Sequence, residues 1–189
     1  MGYMINTVSY NAPVFTYSFP QLVTKKECEQ YKERYPQSNN SNVFAWHSHY
    51  NTHETTNIFN RLIKLTINTC TDITQDYFNI PIQNPYHYDV DDLWLAMYEC
   101  NDYTVMHDHF PNQFAACYYV DVKDDSSPIT FGVNNVTTSI QPETGMLLVW
   151  NGLIPHKVEP TNKKRICICM NIGMKENVKS STYSTPIFN

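Results

Sequence analysis

From Leu93 to Ile172 the apolar residues recur at every second position, in short runs broken by turn residues roughly every 8 to 12 positions. The runs are Leu93–Cys100, Tyr103–His109, Gln113–Val122, Ile129–Phe131, Val136–Ile140, Met146–Trp150 and Arg165–Ile172. Asn101-Asp102, the stretch from Lys123 to Pro128, and Pro142-Glu143-Thr144-Gly145 punctuate them. Many short strands at this spacing predict an all-β barrel or jelly roll, because each strand has one face to bury and little length to do it with. A content of 14% aromatics with fourteen Tyr suits such a sheet-rich fold with a pocket.

The residues before this region read differently. Positions 1 to 23 form an extended lead-in whose β-prone segment, Val14 to Phe19, is stopped by Pro20. Thr24-Lys25-Lys26-Glu27 has the form of a capping box. Cys28, Tyr31 and Tyr35 follow at helical spacing, and Pro36 closes a short helix. After the polar loop Gln37 to Asn42, Val43 to His49 is a short strand candidate. Between Asn57 and Phe78, Phe59, Leu62, Ile63, Ile67, Cys70, Ile73 and Tyr77 recur near the helical period, which predicts a long amphipathic helix over one face of a sheet. A loop with Pro81 and Pro85 and an acidic patch (Asp89, Asp91, Asp92) leads into the strands. The 189 residues read as one domain, large enough to bury roughly 70% of the unfolded surface. Residues 1–92 form a helical and extended support, 93–173 a β core and 174–189 a polar tail.

Composition excludes some functions. A formal net charge of −5, with Lys163-Lys164-Arg165 as the longest basic run, argues against nucleic-acid binding, which needs a basic stripe to replace phosphate counterions. No apolar run is long enough for a bilayer-spanning helix. The N-terminus lacks a basic segment followed by an apolar one, so no signal peptide is expected. Of the six Cys, Cys100, Cys117, Cys167 and Cys169 lie inside strand-like runs, as small core-filling residues do. They are expected to be reduced, and the compartment cytoplasmic.

His107 and His109 are separated by one residue, so on a strand both point to one side and Asp108 to the other. His156, arriving on a neighbouring strand, would complete a one-sided, three-point grip on a metal ion. Such a grip leaves the opposite coordination positions open, as a non-haem Fe(II) site for O2 chemistry requires. A local bulge could instead turn Asp108 inward. On the last strand Arg165, Cys167, Cys169 and Asn171 share one face, and Ile166, Ile168, Met170 and Ile172 share the other. The apolar set faces helices, which aims Arg165 into the interior, where a guanidinium is costly unless it meets an anion. Its fork suits a carboxylate, and no internal Asp or Glu is placed to supply one. On the third strand Gln113, Ala115, Cys117 and Tyr119 form the inward set, small except at its ends, with the Tyr119 hydroxyl deep in the pocket. His47 and His49 form a second His-x-His in polar surroundings. With Trp46 and Tyr50 they are candidates for substrate contact rather than metal binding.

The order His107-x-His109, Tyr118-Tyr119-Val120-Asp121, Pro142-x-x-Gly145, Leu153-x-x-His156 and Arg165 resembles the 2-oxoglutarate/Fe(II) oxygenases. Within them it is most similar to the prolyl-hydroxylase-like branch and to small oxygenases of phages and bacteria. The resemblance covers Trp94 to Gly173, and the nine-residue interval from His156 to Arg165 is its more specific part. It implies a double-stranded β-helix, the cupin-like jelly roll, with N-terminal helices packed on one sheet. It also implies Fe(II) on His107 and His156, with O2 and 2-oxoglutarate as cosubstrates and Arg165 on the distal carboxylate. Tyr119 would donate to the same carboxylate, and Tyr98 would line the pocket. The reaction implied is hydroxylation of a C–H bond in an amino-acid-like or peptidyl substrate, prolyl among the options, with release of succinate and CO2. A phage-encoded chain would work in the host cytoplasm. The family pattern has Asp or Glu where position 109 is His, so the third ligand is His109 by strand geometry or Asp108 by a bulge.

Two other readings use the same residues. A three-His cupin-type dioxygenase takes His109 at face value but needs a substrate carboxylate for Arg165. A non-catalytic β-sandwich binding module would need buried partners for three His and an Arg. Imidazole ligands suit zinc as well as iron.

Overall fold

The computed structural model describes residues 12–19, 21–39, 41–133, 136–160 and 163–176. Its strands are β1 (Val14–Ser18), β2 (Val43–Phe44), β3 (Trp46–His47), β4 (Tyr86–Tyr98), β5 (Tyr103–His107), β6 (Phe114–Val122), β7 (Ile129–Val133), β8 (Val136–Ile140), β9 (Met146–Asn151), β10 (His156–Val158) and β11 (Arg165–Glu176). The helices are α1 (Lys25–Arg34), α2 (Thr52–Thr55) and α3 (Asn60–Asp72), the last running into a π-helical turn at Ile73–Tyr77. A six-stranded sheet has the order β1-β9-β6-β11-β4-β3, and a five-stranded sheet the order β2-β5-β10-β7-β8. All named strand pairs are antiparallel. From β4 onward the chain passes back and forth between the two sheets, which is the winding of a jelly roll. No helix among the described residues is long and apolar enough to cross a membrane.

Alternation divides the large sheet into two faces. Ile166, Ile168, Met170 and Ile172 of β11 join Phe114, Ala116, Tyr118 and Val120 of β6 in a buried cluster that includes Cys28, Tyr31, Phe59 and Leu62 of the helical region. Each fully buried Leu or Ile there contributes about 1.5–3 kcal/mol. On the other face Ala115, Cys117, Tyr119 and Cys167 meet Ile129, Phe131 and Val158 of the small sheet. The helix α1 begins as its sequence dictates: Glu27 N–H donates to Thr24 Oγ1 at 3.2 Å, and Thr24 N–H donates to Glu27 Oε2 at 2.7 Å.

Several elements differ from the sequence reading. The helix expected over 57–78 runs without a break from Asn60 to Tyr77, its last turn π-helical, and Tyr77 at that turn is 58% exposed rather than buried. Val43 to His49 is two strands in two different sheets, β2 on β5 and β3 on β4. The acidic patch is not a loop, because β4 begins at Tyr86 and pairs with β11 throughout, with the register shifting at Asp91. Its carboxylates are accommodated by partners across the ladder: Lys175 meets Asp91, and Asn171 Nδ2 donates to Asp92 at 2.8 Å. β11 likewise extends to Glu176, and the rest of the expected tail, 177–189, lies outside the described residues. Cys100 sits exposed in a turn, since β4 ends at Tyr98 and Asn101 takes a left-handed φ of 72°. All six cysteines are free thiols.

Candidate active site

His107 ends β5 and His156 begins β10, and the two are direct register partners, with ring centroids 4.3 Å apart. His109 lies beyond the end of β5, so strand alternation is not what places it. Its backbone N–H donates to Gly152 O at 2.7 Å, and its carbonyl accepts from Asn112 N–H at 2.8 Å. Gly152 is required for this approach, because a Cβ there would stand 2.2 Å from Asn112 O. Held by that loop, His109 stacks on His156 with Nε2 atoms 3.3 Å apart. Asp108 is exposed and its Oδ1 accepts from Phe110 N–H at 3.1 Å, outside the cluster.

One ring nitrogen from each of His107, His109 and His156 lies within 4.8 Å of the other two. Nitrogens sharing a metal at about 2.1 Å are roughly 3.0–3.4 Å apart, so the cluster needs little adjustment to close on one ion. The Nδ1–H of His107 donates to Val105 O at 2.9 Å and that of His156 to Ile154 O at 3.2 Å. A carbonyl only accepts, so each of these rings carries its proton on Nδ1 and leaves Nε2 as a lone-pair donor. Burial holds all three imidazoles below their ordinary pKa. His109 is brought down to about 4, with the neighbouring His107 adding to the effect of burial. Three neutral donors on one side of a cleft fit a first-row divalent ion.

Arg165 opens β11 between Tyr98 of β4 and Val122 of β6. It is 1% exposed. Nη1–H donates to Ser127 O at 2.9 Å, and the guanidinium carbon stands 4.3 Å from the centre of the Tyr98 ring. Among the described residues no carboxylate pairs with it, and its Nε is buried with no hydrogen-bond partner. The Tyr98 hydroxyl shares a 2.6 Å hydrogen bond with Thr104 Oγ1, fixing the ring under the guanidinium. Tyr119 is fully buried on β6, opposite Cys167. Arg165, Tyr98, Tyr119 and the three histidines line one cleft between the sheets. A buried guanidinium with an orphaned N–H has the fork geometry that a carboxylate would satisfy. The cleft therefore suits a metal at one group of residues and a dicarboxylate on the other.

Of the expected substrate-contact residues, only Tyr50 lines the outer cleft beside His107 and His109, packing edge-on against Trp94 at 5.1 Å. His47 is instead fully buried, bonded to Ser41 Oγ at 2.8 Å and to Ser48 O at 2.8 Å. Trp46 lies on the opposite face of its strand, with Nε1–H on Pro36 O at 3.0 Å. His49 is exposed and absent from the cleft lining. The structure also brings in residues not singled out from sequence. Trp150 walls the cluster, 4.9 Å from His156 between ring centroids. Alternation along Met146–Trp150 carried that signal, whereas nothing local marked Thr104 or Ser127.

No protein-family model and no curated protein matches the sequence. Solved structures do match in fold. A prolyl-4-hydroxylase from Pseudomonas putida superposes with a TM-score of 0.66 at 15% identity, over 86% of this chain and 92% of that one. A non-heme alpha-ketoglutarate-dependent epimerase of nogalamycin biosynthesis gives 0.59 at 11% identity, over 87% and 78%. A prolyl hydroxylase from Trichoplax adhaerens, in complex with a hypoxia-inducible-factor peptide fragment, gives 0.58 at 12% identity, over 85% and 83%. The fold is thus that of the 2-oxoglutarate/Fe(II) oxygenases. The prolyl hydroxylases among them are matched in fold along most of both chains.

Proposed function

We propose that this protein is an Fe(II)- and 2-oxoglutarate-dependent oxygenase that hydroxylates a C–H bond of an amino-acid-like or peptidyl substrate, releasing succinate and CO2. The observation that carries the reading is the pairing, in one cleft, of three neutral imidazoles with a buried guanidinium that has no carboxylate partner. His107, His109 and His156 would hold the iron through Nε2. Arg165 would hold the distal carboxylate of 2-oxoglutarate, with Tyr98 fixing the guanidinium and Tyr119 closing the same wall. Bound iron with 2-oxoglutarate and O2 supplies the oxidising chemistry. The protein's part is to orient and to exclude water: Trp150 and Phe131 seal the histidines on the inner side. Substrate would approach from the outer cleft, where Tyr50, Asp108 and Phe110 stand beside His107 and His109. A peptide lies in the Trichoplax relative, which supports a peptidyl substrate, while the epimerase marks how far chemistry varies on this fold.

The test is anaerobic titration of metal-stripped protein with Fe(II) and then 2-oxoglutarate. A visible charge-transfer band that disappears in His156→Ala is expected. His109, standing where a carboxylate is usual, also favours a second reading: a three-His dioxygenase whose substrate carboxylate meets Arg165. Fe(II) binding without the band would support that one, and absence of metal binding would remove both.

A further inference from the structure

A second cluster of ligating atoms lies on the wall of the same cleft. Cys117 of β6 and Cys169 of β11 are direct cross-strand partners, with Sγ atoms 3.8 Å apart. Cys167 lies two positions before Cys169, on the same face of β11. All three sulfurs fall within 4.8 Å of one another. A metal–sulfur bond of about 2.3 Å in a trigonal plane sets a sulfur–sulfur spacing of about 4.0 Å, so these thiols already span a three-coordinate site. Cys117 and Cys167 are buried, while Cys169 is partly exposed and gives access from the cleft.

We propose that Cys117, Cys167 and Cys169 form a second metal site, taking a thiophilic monovalent ion, Cu(I), in trigonal thiolate coordination. Soft thiolates favour Cu(I), Zn(II) or iron–sulfur clusters, and of these Cu(I) suits a three-coordinate shell, whereas zinc completes a tetrahedron with a fourth ligand or water. No fourth sulfur or imidazole joins this trio among the described residues. The site also needs positive charge, because three thiolates and one Cu(I) carry a net charge of −2. The Arg165 guanidinium in the same cleft offsets one of these two charges. The inference uses none of the three histidines and shares only Arg165 with the oxygenase reading.

The test is anaerobic titration of the reduced, metal-free full chain with Cu(I) buffered by a competing chromophoric chelator. A background of His107→Ala, His156→Ala and Cys100→Ala removes the imidazole cluster and the exposed thiol. One Cu(I) per chain and a near-ultraviolet thiolate-to-copper band are expected, both lost on adding Cys117→Ala and Cys169→Ala. Failure of the chain to withdraw Cu(I) from the chelator, or undiminished binding after the cysteine substitutions, would overturn the proposal. If those variants do not fold, X-ray absorption on the unsubstituted Cu(I)-loaded chain decides. A shell of three sulfurs supports the site, and a nitrogen-dominated shell overturns it.

Discussion

Replacing Arg165 by methionine should separate ligand binding from folding. In the free protein the side chain is 1% exposed and has exchanged its hydration for two contacts. The bond to Ser127 O is charge-assisted, about 1.5–3 kcal/mol. The cation–π contact with Tyr98 adds about 2 kcal/mol when desolvated. Against these stands a desolvation cost of several kcal/mol for the ion. The opposing effects nearly cancel, so a methionine of similar length should shift the stability of the free protein by no more than about 2 kcal/mol. Binding is another matter. Removing one partner of a buried, hydrogen-bonded charge pair costs about 3–5 kcal/mol, or roughly 150- to 5,000-fold in the dissociation constant for 2-oxoglutarate. Urea denaturation measures the first quantity, and anaerobic titration of the Fe(II)-loaded protein measures the second. Unchanged 2-oxoglutarate affinity would refute the carboxylate role. A loss of more than about 4 kcal/mol in the free protein would show that the guanidinium is a structural element instead.

Three further outcomes are expected. Because the native pKa of His109 is brought down to about 4, the unfolded chain takes up a proton below pH ~6.5 that the native state refuses. This group's contribution is therefore intact above about pH 6.5 and lost on acidification toward 4, at most about 3 kcal/mol. Denaturation at pH 7 and 4.5 should show a smaller acid loss in His109→Gln than in the unsubstituted protein, and equal losses would contradict the assignment. Gly152→Ala places a Cβ 2.2 Å from Asn112 O, so the loop carrying His109 must move. Metal affinity, read by Fe(II) titration, should fall on the order of 10–100-fold, as for lost support of a ligand. Thr24→Ala removes the capping box of α1 and should cost about 1 kcal/mol in thermal denaturation while leaving metal affinity unchanged.

Alternation is a local property, so the sequence by itself determined which residues share a face. Ile166, Ile168, Met170 and Ile172 face the helical side, and Arg165 and Cys167 face the cleft, because successive side chains on a strand must oppose one another. The capping box of α1 was equally legible, since all its atoms lie within one turn. The start of β4 was not legible. Its acidic residues read as a loop until the partners on β11, remote in sequence, are known. Nor did the sequence show that Val43 to His49 turns a corner between two sheets, which buries His47 and removes Trp46 from the cleft. His109 joins the cluster through a loop anchored on Gly152, a contact between segments far apart in the chain. The convergence of Cys117 with Cys167 and Cys169 likewise depends on the pairing of β6 with β11. Residue spacing fixed the faces, and strand pairing across long sequence separations fixed which faces meet. Only the tertiary structure decided that second step, because pairing is selected by burial over the whole core and not by any one segment.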